Sequence, residues 1–208
     1  MKLLILGASG MIGARILAEA VERGHDVVAA SRNPEKIASG DKVRAVALDV
    51  ADVDAVTQAA EGVDVIVQAV SPRSTDDAVS EMAAIGGGSL GAALATGKRL
   101  IVVGGAGTLT LPDGSPVLAT LPDFIVPEAT GMRNLKQSLA ESAADWTYIA
   151  PAAMIEPGAR TGKFRLGGDV LMADEQGDSK ISAEDFAVAL LDEVESKAHP
   201  KEVMSVAY

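Results

Sequence analysis

Three glycines, Gly7, Gly10 and Gly13, stand at three-residue intervals directly after the apolar run Leu3-Leu4-Ile5-Leu6. Residues of this type at this spacing, G-x-x-G-x-x-G, can hold a pyrophosphate. Gly7 permits a tight turn off a strand. Gly10 lets backbone approach a phosphate with no side chain between them, and Gly13 lets the following helix pack closely on the sheet. The phosphates would then meet the unpaired N–H groups and the positive dipole end of that helix. Ser9, Met11 and Ile12 belong to the same turn and share the expected contact. A glycine-rich turn without a ligand could use the same residues. A buried strand before the triplet and a helix after it is the context that a dinucleotide site requires.

The end of the second strand distinguishes one dinucleotide from another. An NAD site wants a carboxylate there, bonded to the ribose 2′-hydroxyl. This chain has Ser31-Arg32 instead, and Asp26 lies at the opposite end of the strand. Arg32 is placed to meet a 2′-phosphate, with Ser31 as a hydroxyl donor. The expected cofactor is therefore NADP(H) in preference to NAD(H), the alternative being a solvated surface arginine.

Ligands of open α/β sheets bind outside the carboxyl ends of the strands. The further candidates are thus Asp49-Val50, Ala69-Val70-Ser71, Gly104 with the residues up to Thr108, and Pro151 with the residues up to Met154. Asp49 could equally cap the next helix. His25 falls at the amino end of its strand and His199 in a terminal segment, so both read as surface residues. Arg160, Lys163 and Arg165 form a basic cluster, either for a flavin or cofactor phosphate or as the solvated face of a hairpin. Met154 and Phe164 line an apolar pocket or belong to that hairpin's core. No metal-ligand spacing occurs.

The elements that must position these residues alternate between strand and helix. A helix is expected over residues 11–23, ended by Gly24, and strands over Val27–Ala30, Val43–Leu48, Val63–Val67, Arg99–Val103, Asp145–Ala150 and Val203–Val206. Helices are expected near Glu35–Ala38, over Val53–Ala60, over residues 76–96 with a weak point at Gly86-Gly87-Gly88, over Glu128–Ala143, and from Ser182 to Glu195. This alternation predicts a single doubly wound α/β domain, a parallel sheet in the order 3-2-1-4-5-6 with helices on both faces. Residues 108–127, rich in proline, and residues 152–181, rich in glycine, are expected to form a small substrate-side cap. Within the cap, Gly167-Gly168-Asp169 reads as a hairpin turn between residues 164–166 and 170–172.

Composition limits the function. The 208 residues carry a net charge of −11, a poor match for nucleic acid or an anionic membrane surface. There is no cysteine, and hence no thiol chemistry. No unbroken apolar run approaches the length of a membrane span, and no signal-type segment precedes the first strand. The expected location is the cytoplasm, and the expected partner a small molecule.

The segment Gly7-Ala8-Ser9-Gly10-Met11-Ile12-Gly13 resembles the fingerprint of the extended and atypical short-chain dehydrogenase/reductases. The segments 103–108, 146–158 and 160–165 extend the likeness to a bacterial family of NAD(P)H-dependent flavin reductases, grouped with biliverdin reductase B and the nitrogen-metabolite-repression regulators. The resemblance implies a Rossmann fold, places Asp49-Val50 beside the adenine, and packs Ala69-Val70-Ser71 on the cofactor ribose. It also exposes departures. Reductases of the common kind use Tyr-x-x-x-Lys. Here the tyrosines are Tyr148, inside a strand, and Tyr208, the last residue, while Met132 stands four residues before Lys136. Biliverdin reductase B has a serine after strand five and a histidine after strand six, where this chain has Gly104-Gly105 and Ala152-Ala153-Met154, so biliverdin reduction does not carry over. Thr108 and Lys136 are the weak catalytic candidates. The expected activity is hydride transfer from NADPH to a flavin, quinone or similar acceptor, whose delocalised anion solvent can protonate. The alternative is a non-catalytic NADP(H) sensor that acts through a protein partner.

Overall fold

The computed structural model describes residues 1–38, 40–72 and 77–208. The unbroken apolar run at the start becomes β1 (Lys2–Leu6), an interior strand, buried on both faces as parallel strands are. It is followed by α1 (Met11–Glu22), β2 (Asp26–Ser31), β3 (Val43–Ala47), α2 (Val53–Ala59), β4 (Val65–Gln68), α3 (Ala78–Thr96), β5 (Arg99–Val103), α4 (Val126–Glu141) and β6 (Trp146–Pro151). Then come three short strands, β7 (Met154–Glu156), β8 (Arg165–Gly167) and β9 (Lys180–Ser182), and finally α5 (Ala183–Ser196) and β10 (Glu202–Ala207). Asp76, where the sequence places the start of the third helix, lies outside the described residues. The segment expected to be helical near Glu35–Ala38 is a 3-10 turn over Pro34–Lys36.

The sheet runs β3-β2-β1-β4-β5-β6-β10-β8. Its first six strands reproduce the predicted order. The terminal strand β10 adds in parallel to β6, and only β8 is antiparallel. Period-two alternation along β1 sends Leu3 and Ile5 to one face and Leu4 and Leu6 to the other. On the first face Ile16 and Leu17 of α1 meet Phe186 and Leu190 of α5. On the second, Val56 of α2, Met82 and Ile85 of α3 and Leu135 of α4 complete the core. The carboxyl ends of the parallel strands therefore open along one edge, between these two layers.

Three expectations need correction. Gly86-Gly87-Gly88 does not weaken α3, which runs unbroken over 19 residues. A Cβ at Gly88 would lie 1.7 Å from the Val50 carbonyl oxygen, and one at Gly86 would lie 2.7 Å from Leu135 Cδ1. These glycines let α3 sit between the chain after β3 and helix α4, and that contact outweighs their poor helix propensity. The segment 164–172 is not a hairpin. Residues Arg165–Gly167 pair with β10 instead, and Val170 bridges to Thr110, whose carbonyl accepts from Leu171 N–H at 2.8 Å. His25 is not on the surface: it is buried, its Nε2 2.8 Å from Glu195 and its Nδ1 3.2 Å from the amino terminus.

By length and composition α3 could cross a membrane, a property that a search for unbroken apolar runs passes over because Glu81 interrupts it. In the fold α3 is a core helix packed between α2 and α4.

Candidate functional site

The turn from β1 into α1 is built by close approach. Gly7 has φ +85°, and a Cβ there would lie 2.7 Å from the Ala69 carbonyl oxygen and 2.8 Å from Val70 Cγ2. The exits of β1 and β4 are thus pressed together, as no other residue would allow. A Cβ at Gly13 would lie 2.1 Å from the Gly7 carbonyl oxygen, so this glycine lets α1 pack on its own entry turn. Gly10 differs from both. A Cβ there would meet only the Gly7 carbonyl oxygen, at 3.2 Å, and would otherwise fill the cavity that Gly10 lines.

Helix α1 begins without a side-chain cap and without an acidic residue in its first turn. Helices α2, α3 and α5 do the opposite. Asp52, Asp77 and Ser182 cap them, and Asp54, Glu81 and Glu184 stand in their first turns. Asp52, not Asp49, is therefore the cap of α2, its carboxylate accepting from Ala55 N–H at 3.0 Å. The bare end of α1 leaves N–H donors and an uncompensated positive dipole facing the cavity.

That cavity has a volume of about 470 Å³. Gly7, Ser9 and Gly10 form its floor, Ser31 and Arg32 one wall, and Asp49, Val50 and Ile85 the other. Ser9 and Ser31 hydroxyls lie 2.6 Å apart, and Asn33 N–H donates to Ser31 Oγ at 3.1 Å. One hydroxyl proton of the pair is left over for a ligand. Arg32 also lines this wall, joined by Lys36, which the sequence reading passed over. Among the described residues neither cation has a hydrogen-bond or ion-pair partner. Asp49 is exposed on the rim, its carboxylate accepting from Ala51 N–H at 3.0 Å.

Ala69 and Val70 also line a second cavity of about 240 Å³, so the two meet across the end of β4. Ile12, Ser71, Gly104 and Pro151, all singled out in the sequence, line it. Glu128 and Met132 of α4 join them, one turn apart on the inner face of their helix. Met11 and Gly13 line neither cavity. Gly104 has a second reason to be glycine, since a Cβ would lie 2.2 Å from Tyr148 Cε1. The Tyr148 ring fills that space, and its hydroxyl accepts from Gly105 N–H at 3.2 Å. Burial pushes this phenol up to about 12, so it stays neutral.

Thr108 and Lys136 line neither cavity; they sit in a separate cleft of about 270 Å³. Thr108 Oγ1 donates to the Gly105 carbonyl at 2.8 Å, and Lys136 Nζ donates to the Thr108 carbonyl at 2.9 Å and pairs with Asp169. In the basic cluster, Arg160 forms a forked pair with Glu19, at 2.7 and 2.9 Å. Arg165 donates to the Tyr208 and Ala173 carbonyls. Both arginines are thus spent on structure. Met154 is exposed, and Phe164 packs against the core face shared by α1 and α5.

A buried-strand, glycine-turn, helix unit opening a parallel sheet defines a dinucleotide-binding protein. Residues 7–197 match the NAD(P)H-binding family, and the chain belongs to it. Three solved structures that cover nearly the full length of both chains are similar to it. One is described as a "putative exported protein" of Burkholderia pseudomallei, 39% identical with a TM-score of 0.87 over 100% of each chain. Another is a "putative epimerase" of Bacteroides thetaiotaomicron, 33% identical with a TM-score of 0.91 over 100% of this chain and 96% of that one. The third is a "putative NADH-flavin reductase" of Streptococcus pneumoniae TIGR4, 29% identical with a TM-score of 0.82 over 100% and 99%. The fold is common ground, while these descriptions differ in activity, and one of the three is that of a reductase.

Proposed function

We propose that this protein is an NADPH-dependent reductase that passes hydride to a planar, conjugated acceptor such as a flavin or a quinone. The residues present fit the cofactor. The larger cavity would hold the adenosine half, with Gly10 and the bare start of α1 against the pyrophosphate. Arg32, Lys36 and the spare hydroxyl proton of the Ser9–Ser31 pair would face the 2′-phosphate. Asp49 and Val50 would border the adenine. When bound, the cofactor supplies a hydride from its nicotinamide ring. Ala69, Val70, Gly104 and Pro151 would hold that ring at the smaller cavity, and their small side chains leave room for a second ring above it.

The observation that carries the reading is the wall of the smaller cavity. Among the described residues its polar side chains are Ser71 and Glu128, and no tyrosine, histidine or lysine joins them. Reduction of an isolated carbonyl calls for a positioned acid to meet the alkoxide, a part that among the described residues of this wall would fall to the Glu128 carboxyl alone. A flavin or quinone spreads the charge over its ring and asks for orientation instead.

The test is NADPH oxidation with riboflavin, FMN and menadione as acceptors. Turnover with at least one supports the proposal. Tight NADPH binding with no turnover would overturn it in favour of a sensor or an epimerase. An epimerase would return its cofactor unchanged, so sustained net oxidation also separates that reading from this one.

A further inference from the structure

Gln68 is the last residue of β4 and is fully buried. It lies in register with Leu6 on β1 and Val102 on β5, and Val102 is in register with Tyr148 on β6. Register partners in a parallel sheet share a face, so Gln68 stands in one transverse row with Leu6, Val102 and Tyr148, on the side covered by α3 and α4. Its Nε2 donates to the Val70 carbonyl at 2.9 Å, two residues on. Its Oε1 is buried with no hydrogen-bond partner among the described residues. The acceptor character of the Val70 carbonyl fixes which end of the amide faces it.

A buried amide with one end unsatisfied is a poor choice for stability. Replacing it with an apolar residue of similar shape removes the stranded oxygen but also releases the Val70 carbonyl, so the two effects on stability oppose each other. Groups that cost stability in the folded state persist where they serve a site. Gln68 has such a site beside it. Val70 lines both cavities, and it is fixed from two directions: its Cγ2 lies 2.8 Å from where a Cβ of Gly7 would stand, and its carbonyl is tied down by Gln68.

We infer that Gln68 is a positioning residue: its amide holds Val70 as the floor under the nicotinamide end of the cofactor. This rests on the NADPH reading above. The residue acts through Val70 and touches no reacting atom. Val70 also lines the larger cavity, but the grip on the adenosine half there would come mainly from Gly10, Arg32 and Lys36.

The experiment compares wild type with Gln68→Leu in three readouts. The thermal midpoint without ligand is expected to stay within about two degrees or to rise. The dissociation constant for NADPH is expected to rise about five- to tenfold, with loss of the blue shift in nicotinamide emission on binding. Binding of 2′-phospho-ADP-ribose, which lacks the nicotinamide, is expected to change less than twofold. A fall in the midpoint of many degrees, or failure to fold, would overturn the inference, as would equal weakening of both ligands or unchanged NADPH emission. The unbranched variant Gln68→Met should repeat the result and separates loss of the amide from the shape of leucine. These are binding readouts. If wild type binds NADPH but reduces no acceptor, the reductase reading fails while the positioning role of Gln68 is still decided.

Discussion

The two ends of the sheet treat charge in opposite ways. At the amino end, Arg99 opens β5 and is buried against Glu193 of α5, which is also buried. Arg99 Nη1 also donates to the Glu193 carbonyl at 2.9 Å. The Glu193 carboxylate accepts from His199 N–H at 3.0 Å and lies 2.8 Å from His199 Nδ1, while Thr147 Oγ1 donates to the His199 carbonyl at 2.8 Å. At the carboxyl end, Arg32 and Lys36 have no partner among the described residues, and α1 starts uncapped. One network pairs charge with charge, leaving only Arg99 Nε without a partner among the described residues, and serves the fold. The other set is open and exposed to solvent, and suits an anion. An acidic protein of net charge −11 could have neutralised those two cations many times over.

Breaking the paired network should give the largest effect on stability. Glu193→Ala would strand the Arg99 guanidinium without its counter-charge, which costs about 3 kcal/mol or more, or roughly ten degrees of thermal midpoint for a chain of this size. NADPH affinity should be unchanged. The same carboxylate gives a pH signature. Burial would raise its pKa, but hydrogen bonds from His199 and Arg99 outweigh burial and hold it below the usual glutamate range. Its contribution is therefore fully present at neutral pH and is lost as pH falls through that depressed value. Acid unfolding should follow this course in wild type and be flatter in Glu193→Gln.

Next come the glycines, which divide between the two roles. Gly13→Ala forces a Cβ against backbone and should cost about 2 kcal/mol, with ligand affinity lost alongside. Gly10→Ala should leave the thermal midpoint within about two degrees and weaken NADPH about tenfold, because its methyl would enter the space proposed for the pyrophosphate. Equal destabilisation by both would erase the distinction. The smallest effect is expected from the separate cleft. Thr108→Val and Lys136→Ala should each lower turnover by less than about tenfold, well short of the roughly hundredfold or more that a general acid commands.

Much of the open end was legible in the sequence, because its signals are local. The apolar run, the glycine spacing and the basic residue after β2 are read within a few residues of one another. The signals that were missed depend on what passes nearby in space. Gly86 and Gly88 read as helix breakers until Leu135 and the Val50 carbonyl are seen beside them. Gly104 shows only one of its two reasons to be glycine until the Tyr148 ring is found behind it. Lys36 sits on an irregular turn with no periodicity to mark it, though it lies four residues after Arg32. Glu128 and Met132 reach the smaller cavity only because α3 presents glycine and α4 can close on it.

The central claim is that the open cations select a 2′-phosphate, and equilibrium binding of NADPH and NADH to wild type, Arg32→Ala and Arg32→Ala/Lys36→Ala tests it most directly. Charge-assisted bonds of this kind are worth about 1.5–3 kcal/mol, or about tenfold or more in affinity. Wild type should bind NADPH at least tenfold more tightly than NADH, with the ratio falling in the single variant and approaching one in the double variant, while NADH affinity stays nearly constant. Equal affinity for the two cofactors in wild type, or parallel loss of both in the variants, would contradict the account.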